Sequence, residues 1–217
     1  MLGLSFAGPP EPLRLLCLGA HPDDIEIGCG GSLLRLAAEQ PRMSVRWVVF
    51  SGNERRRAEA TGAARAFLAG LRDAEISVLG FRDGFFPSQH AEIKDAFEDL
   101  KRAYRPSLVL THCRDDLHQD HRLVAELTYN TFRDHLVWEY EIPKYDGDLG
   151  NPNLFVPLSG EQSRRKIATL MEQFPSQRER AQWFTEDTFL ALMRLRGIGC
   201  NAPSGFAEAF YCRKAVV

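Results

Sequence analysis

The 217-residue chain has no run of 18 apolar residues, no cysteine pair at CxxC spacing and no marked excess of charge of either sign. The first absence excludes a membrane-spanning helix, which needs roughly 20 apolar residues. The five cysteines, Cys17, Cys29, Cys113, Cys200 and Cys212, are odd in number and scattered. That excludes a thiolate zinc knuckle and a disulfide framework, and leaves reduced thiols of a cytosolic protein. A formal net charge of -2 lacks the basic footprint of a nucleic-acid binder. Met1 to Pro12 contains Glu11 and three prolines but no basic region leading into an apolar stretch, so no secretory leader is expected and the chain reads as cytoplasmic. No internal repeat, low-complexity tract or linker interrupts it, and one domain over residues 1–217 is expected.

What is present is an alternation of short apolar runs and helical segments. Leu13 to Ala20 is almost continuously apolar and stops directly at His21, the pattern of a strand covered on both faces. A loop carrying Gly28, Gly30 and Gly31 follows, then a helix over Ser32 to Gln40 stopped by Pro41, and a buried strand over Val45 to Phe50. The pattern repeats with a helix over Glu54 to Leu71, a strand over Ile76 to Leu79, a helix over Gln89 to Tyr104 and a strand over Leu108 to Leu110, with a loop opening at Thr111. A helix over Asp120 to Asp134 and a strand over Leu136 to Ile142 lead into Pro143 to Pro157, a long loop rich in Gly, Pro, Asn and Asp that can wall a pocket. Helices near Glu161 to Gln173 and Glu186 to Leu195 precede a final strand over Ala207 to Arg213. This alternation predicts a single-domain α/β fold of Rossmann-like type, a mostly parallel sheet with helices on both faces, whose ligands sit beyond the carboxyl ends of the strands.

Two segments at such strand ends carry chemistry. Ala20-His21-Pro22-Asp23-Asp24 offers an imidazole and a carboxylate for a divalent metal of borderline softness, and a second carboxylate able to act as general base on a water held there. A plainer reading makes the aspartates turn caps after Pro22. The second segment, Thr111 to Arg122, holds His112, His118 and His121, three of the six histidines. His118 and His121 are three apart at a helix start and can face one space, and Asp120 can orient an imidazole from behind. His112 reads as a polar strand terminus satisfied by backbone, and His90 and His135 as structural or surface residues. The glycines give Gly28-x-Gly30-x-x-Leu33, without the third glycine of a dinucleotide fingerprint.

Together, Ala20-His21-Pro22-Asp23-Asp24 and His118-Gln119-Asp120-His121 resemble the PIG-L/LmbE family of zinc-dependent N-deacetylases, whose pattern is AHPDD followed about a hundred residues later by HxDH. The stretches Tyr140 to Gly147, Phe174 to Gln177 and Ala207 to Phe210 are similar to those of bacterial sugar-deacetylase members. The resemblance implies one zinc ion per chain, or another divalent metal, held by His21, Asp24 and His121, with Asp23 as general base and His118 as acid or electrophile. It implies hydrolysis of the N-acetyl group of an N-acetylglucosamine-type sugar or conjugate, a small-molecule amino-sugar partner, and leaves a homo-oligomer open. Ile25 stands where many members have Glu, and Gln119 where many have Pro, which bears on substrate and not on chemistry. Leu117 stands where members acting on thiol-precursor glycosides often place an aromatic.

Substrate contacts are expected at Arg56, in the basic run Arg55-Arg56-Arg57, and at Asp83 after the third strand, while Lys144 and Gln177 come from the resemblance. Two rival readings remain: a nucleotide-dependent transferase or oxidoreductase using the Gly28 to Gly31 turn, and a non-catalytic sugar-binding module.

Overall fold

Leu15 and Cys17 point to one side of the first strand, Leu16 and Leu18 to the other, and all four are fully buried. A strand apolar on both faces must lie inside a sheet covered twice. In the computed structural model, which describes residues 12–216, it does; the expectation about a leader peptide rests on Met1 to Glu11, outside the described residues.

The strands are β1 (Arg14–Gly19), β2 (Ser44–Ser51), β3 (Asp73–Phe81), β4 (Leu108–His112), β5 (Leu136–Tyr140), β6 (Leu154–Leu158) and β7 (Phe206–Tyr211). They form one sheet in the order β3-β2-β1-β4-β5-β7-β6. The first five in that order run parallel, and β7 pairs antiparallel with both β5 and β6. The helices are α1 (Asp24–Glu39), α2 (Glu54–Phe67), α3 (His90–Ala103), α4 (Gln119–Thr131), α5 (Gly160–Gln173), α6 (Pro175–Arg180) and α7 (Glu186–Gly199). On one face Leu15, Cys17, Trp47 and Val49 pack against Leu33, Phe67, Leu170 and Phe189 of α1, α2, α5 and α7. On the other, Leu16, Leu18, Val48 and Phe50 pack against Phe97 of α3 and Leu123 and Leu127 of α4. No helix among the described residues is long and apolar enough to cross a membrane.

Three expectations are corrected. The glycines form no turn: α1 starts at Asp24 and runs through Gly28, Gly30 and Gly31. Their role is close approach, because a Cβ on Gly28 would lie 2.2 Å from the Tyr140 ring and one on Gly31 2.5 Å from Leu158. A phosphate-cradling loop, and with it the nucleotide-dependent rival, loses its structural basis. The loop expected over Pro143 to Pro157 ends in β6, whose edge position tolerates Pro157. β4 continues through Thr111 and His112, two residues past the expected loop start.

Candidate functional site

Strand order reverses between β1 and β4, which lie side by side with Cys17 opposite Leu110. Connections leave such a pair in opposite directions and open a crevice at the carboxyl ends, where doubly wound sheets bind ligands. The segment after β1 brings His21, Asp23 and Asp24 to this crevice, and the segment after β4 brings Asp116, His118, Asp120 and His121.

His21 Nδ1 lies 3.1 Å from His121 Nε2. Asp24 faces both nitrogens through different oxygens, with Oδ1 3.4 Å from His121 Nε2 and Oδ2 3.5 Å from His21 Nδ1. Carboxylates occupy the outer side of each ring: Asp120 Oδ2 and Asp83 Oδ1 are each 3.2 Å from His21 Nε2, and Asp116 Oδ2 is 2.9 Å from His121 Nδ1. Carboxylates only accept, so in the neutral rings they favour protons on the outer nitrogens and lone pairs on the inner ones, which face each other and Asp24. These inner atoms, one nitrogen from each ring and both Asp24 oxygens, lie close enough together to hold a cation. A tetrahedral zinc with bonds of about 2.0–2.1 Å separates its ligands by roughly 3.3 Å, so the donor set fits such an ion.

The two imidazoles respond oppositely to this setting. Burial pulls His21 down, but the carboxylates of Asp120, Asp24 and Asp83 outweigh it and hold the ring well above its ordinary value. Burial drives His121 down to about 3. Three-donor groupings among the described residues are His21, His118 and His121; Asp24, His112 and His121; and His21, Asp83 and Asp120. The first two overlap at His121 and between them contain His21, Asp24 and His121, which no one grouping unites. The third lies on the outer side of His21, where Asp120 already accepts the Gly84 and Phe86 N–H groups at 2.6 and 3.1 Å.

Asp23 occupies the position before α1 but does not cap it. Its φ of 102° is left-handed, a conformation that costs a side-chain-bearing residue about 1–3 kcal/mol and persists where surroundings enforce it. Here they do: Arg56 donates to the Pro22 carbonyl and, at 3.0 Å, to Asp23 Oδ1, and Gln177 Nε2 donates to Asp23 Oδ2 at 2.7 Å. Burial lifts the Asp23 carboxyl to about 7, against the opposing pull of Arg56. His118 caps α4, its Nδ1 accepting the Asp120 N–H at 3.2 Å, so Nε2 carries the proton. Its ring centroid is 4.8 Å from that of His21 and 4.5 Å from that of His121.

The family model described as PIG-L, GlcNAc-PI de-N-acetylase, matches residues 16–132, more than half of the chain. The chain belongs to the PIG-L family. It is similar to the "Uncharacterized deacetylase YaiS" of Escherichia coli strain K12, at 35% identity over 123 residues, 52% of this chain and 64% of that protein. The match thus spans less than two thirds of that relative's length. Among solved structures, the conserved protein TT1542 from Thermus thermophilus superposes with a TM-score of 0.69 at 24% identity over 94% of this chain and 96% of that one. N,N'-diacetylchitobiose deacetylase from Pyrococcus horikoshii gives 0.66 at 20% identity over 93% and 84%. At these identities the superpositions speak for the fold.

Around this PIG-L centre lies a cavity of about 530 Å³, lined by His21, Asp23, Asp24, His118 and His121 and walled by Ile142, Tyr145, Arg180 and Trp183. The expected substrate contacts line it too, but differently. Asp83 is more than half exposed and pairs with His21 at 3.2 Å and Arg56 at 3.9 Å. Arg56 and Gln177 are buried against Asp23. Lys144 reaches Asp116 at 3.1 Å and Asp148 beside it. His112 Nε2 accepts the Ala20 N–H at 3.0 Å, but its buried Nδ1 has no hydrogen-bond partner among the described residues, so backbone satisfies only half of this ring. It also stacks on His121 at 3.9 Å and lies 3.1 Å from Asp24 Oδ2, a tertiary contact that its position gave no reason to expect. Asp116 escaped sequence reasoning: the doublet Asp115-Asp116 was the only signal, and nothing local says that its second member would reach His121. His90 is exposed, and the half-buried His135 pairs with Asp134 at 2.9 Å, away from the cleft.

Proposed function

We propose that this chain is a metal-dependent N-deacetylase that hydrolyses the acetyl amide of an N-acetylglucosamine-type sugar or conjugate to acetate and the free amine. His21, Asp24 and His121 hold one zinc ion, or another divalent metal, per chain. Family membership, the deacetylase name of the Escherichia coli relative and the diacetylchitobiose deacetylase of like fold support the reaction class. The observation that carries the reading is the approach of His21, His121 and the two Asp24 oxygens within 3.1 to 3.5 Å, with a buried, strained carboxylate next in sequence.

When bound, such a metal supplies Lewis acidity to the amide carbonyl and to the attacking water. Asp23 takes a proton from that water as its oxygen bonds to the acetyl carbon. With a pKa of about 7 the carboxylate is matched to neutral pH, accepting the proton readily and giving it up again. His118, whose Nε2–H is free to donate, stabilises the negative charge that develops on the carbonyl oxygen. The carbon–nitrogen bond then breaks as Asp23 passes the proton to the leaving amine. Arg56 and Gln177 hold the carboxylate in place throughout, which makes them positioning residues. Asp120 does the same for His21.

The test is acetate release by the zinc-loaded protein from a panel of N-acetylglucosamine conjugates, run beside Asp23→Ala. The variant should keep its zinc and lose about 10²–10⁴ in rate, the range for a missing general base. Full activity in Asp23→Ala would remove that residue from the role. A zinc-replete wild type that releases no acetate from any member of the panel would reject the deacetylase reading in favour of the sugar-binding module.

A further inference from the structure

Lys144 lines the cleft with a side chain only 8% exposed, and its ammonium is fully engaged. It pairs with Asp116 Oδ2 at 3.1 Å, with Asp148 Oδ2, and more loosely with Asp146 at 4.0 Å. Asp116 is the carboxylate behind His121, 2.9 Å from Nδ1 through the same Oδ2, and its Oδ1 accepts the His118 N–H at 2.8 Å. Asp148 accepts the Leu117 N–H at 2.7 Å, so the loop after β5 is joined to the loop before α4 at two adjacent points. Between the two anchors the chain turns at Gly147, whose φ of +64° suits glycine, and exposes Tyr145 and Asp146 to the cavity.

We infer that Lys144 is a positioning residue: with Asp148 it clamps the cleft-wall loop 143–148 onto Asp116, and so fixes both the orientation of His121 and the place of Tyr145. The inference rests on the reading of His121 as a metal ligand. Its physical basis is the ammonium lying between two carboxylates that repel each other without it. Removal of that charge frees Asp116 to turn away from Nδ1 and lets the wall loop drift. A carboxylate behind a metal-binding imidazole is worth about 10–100-fold in metal affinity.

The experiment compares wild type, Lys144→Met, Lys144→Arg and Asp148→Asn. Zinc affinity is read by competition with a chromophoric chelator, kcat and KM by acetate release, and loop opening by backbone amide exchange at Leu117 and residues 144–150 in metal-free protein. Lys144→Met should bind zinc about 10–100-fold more weakly, raise KM and speed exchange in both loops, while Lys144→Arg recovers most of each. Asp148→Asn should speed exchange at Leu117 and raise KM, and it carries the test should Lys144→Met fail to fold. A rise in KM with zinc affinity and exchange unchanged would make Lys144 a direct substrate contact and overturn the clamp, as would an arginine variant no better than methionine. Absence of zinc binding in wild type counts against the proposed function, whereas the exchange data judge the clamp with no metal present.

Discussion

The two sides of the sheet divide the labour. The parallel side, from β1 to α4, carries His21, Asp23, Asp24, His118 and His121, and the family match covers almost the same span, residues 16–132. The C-terminal wing, from the last parallel strand β5 through the antiparallel pairing of β7, sends Ile142, Lys144, Tyr145, Gln177, Arg180 and Trp183 into the same cavity. These side chains hold the first set in place or wall the cleft. The difference follows from how each side is built. β1 and β4 are buried almost throughout and end side by side, which gives the donor atoms a rigid base. β6 is an edge strand half open to solvent, and the loop before it is held to the parallel side only at points such as Ile142, Lys144 and Asp148.

The comparison breaks first at the metal. His121→Ala or His21→Ala should reduce bound zinc per chain to near zero and bring acetate release to background, with elemental analysis and rate measured on the same sample. Unchanged zinc stoichiometry would move the ligands elsewhere. A smaller effect tests the joint between the two sides, where Gly28 of α1 meets the Tyr140 ring of β5. Gly28→Ala pushes a methyl group to 2.2 Å from that ring and should cost about 1–3 kcal/mol, read as a lower midpoint of thermal or urea unfolding. Wild-type stability would mean that the helix and Tyr140 are less tightly packed than described. The smallest effect belongs to the wing alone. Trp183→Ala should raise KM roughly two- to tenfold with kcat nearly unchanged, the worth of one aromatic contact. A fall in kcat at constant KM would bring the wing into the transition state and blur the division.

Sequence was most legible where local pattern and tertiary environment agree. The near-continuous apolar runs of β1 and β2 announce strands covered on both sides, and both are. It was least legible in the wing and in α1. Leu154 to Leu158 lies in a stretch dominated by turn-forming residues, and becomes a strand only because β7 pairs with it from Phe206↔Leu158 to Phe210↔Leu154. The glycines of α1 suggest a turn because glycine weakens an isolated helix, by up to about 1 kcal/mol each. In the fold that cost is outweighed by packing that no larger residue permits. Burial of the Lys166 and Glu208 pair reinforces the same stretch, with the Ile27 carbonyl accepting from Lys166 and the Gly31 and Ser32 N–H groups donating to Glu208 at 2.8 and 2.6 Å.

By itself the sequence determined the class of fold and the residue types that meet at the site, because strand periodicity and clustered histidines and aspartates are local properties written in order along the chain. Only the tertiary structure decided which nitrogen of each histidine faces inward, that Asp116 stands behind His121, and that Lys144, Arg56 and Gln177 spend their polar groups on carboxylates. Those outcomes depend on contacts between residues as much as 154 positions apart, set by the adjacency of β1 and β4 and by the return of the C-terminal wing. No spacing in the sequence encodes such distances.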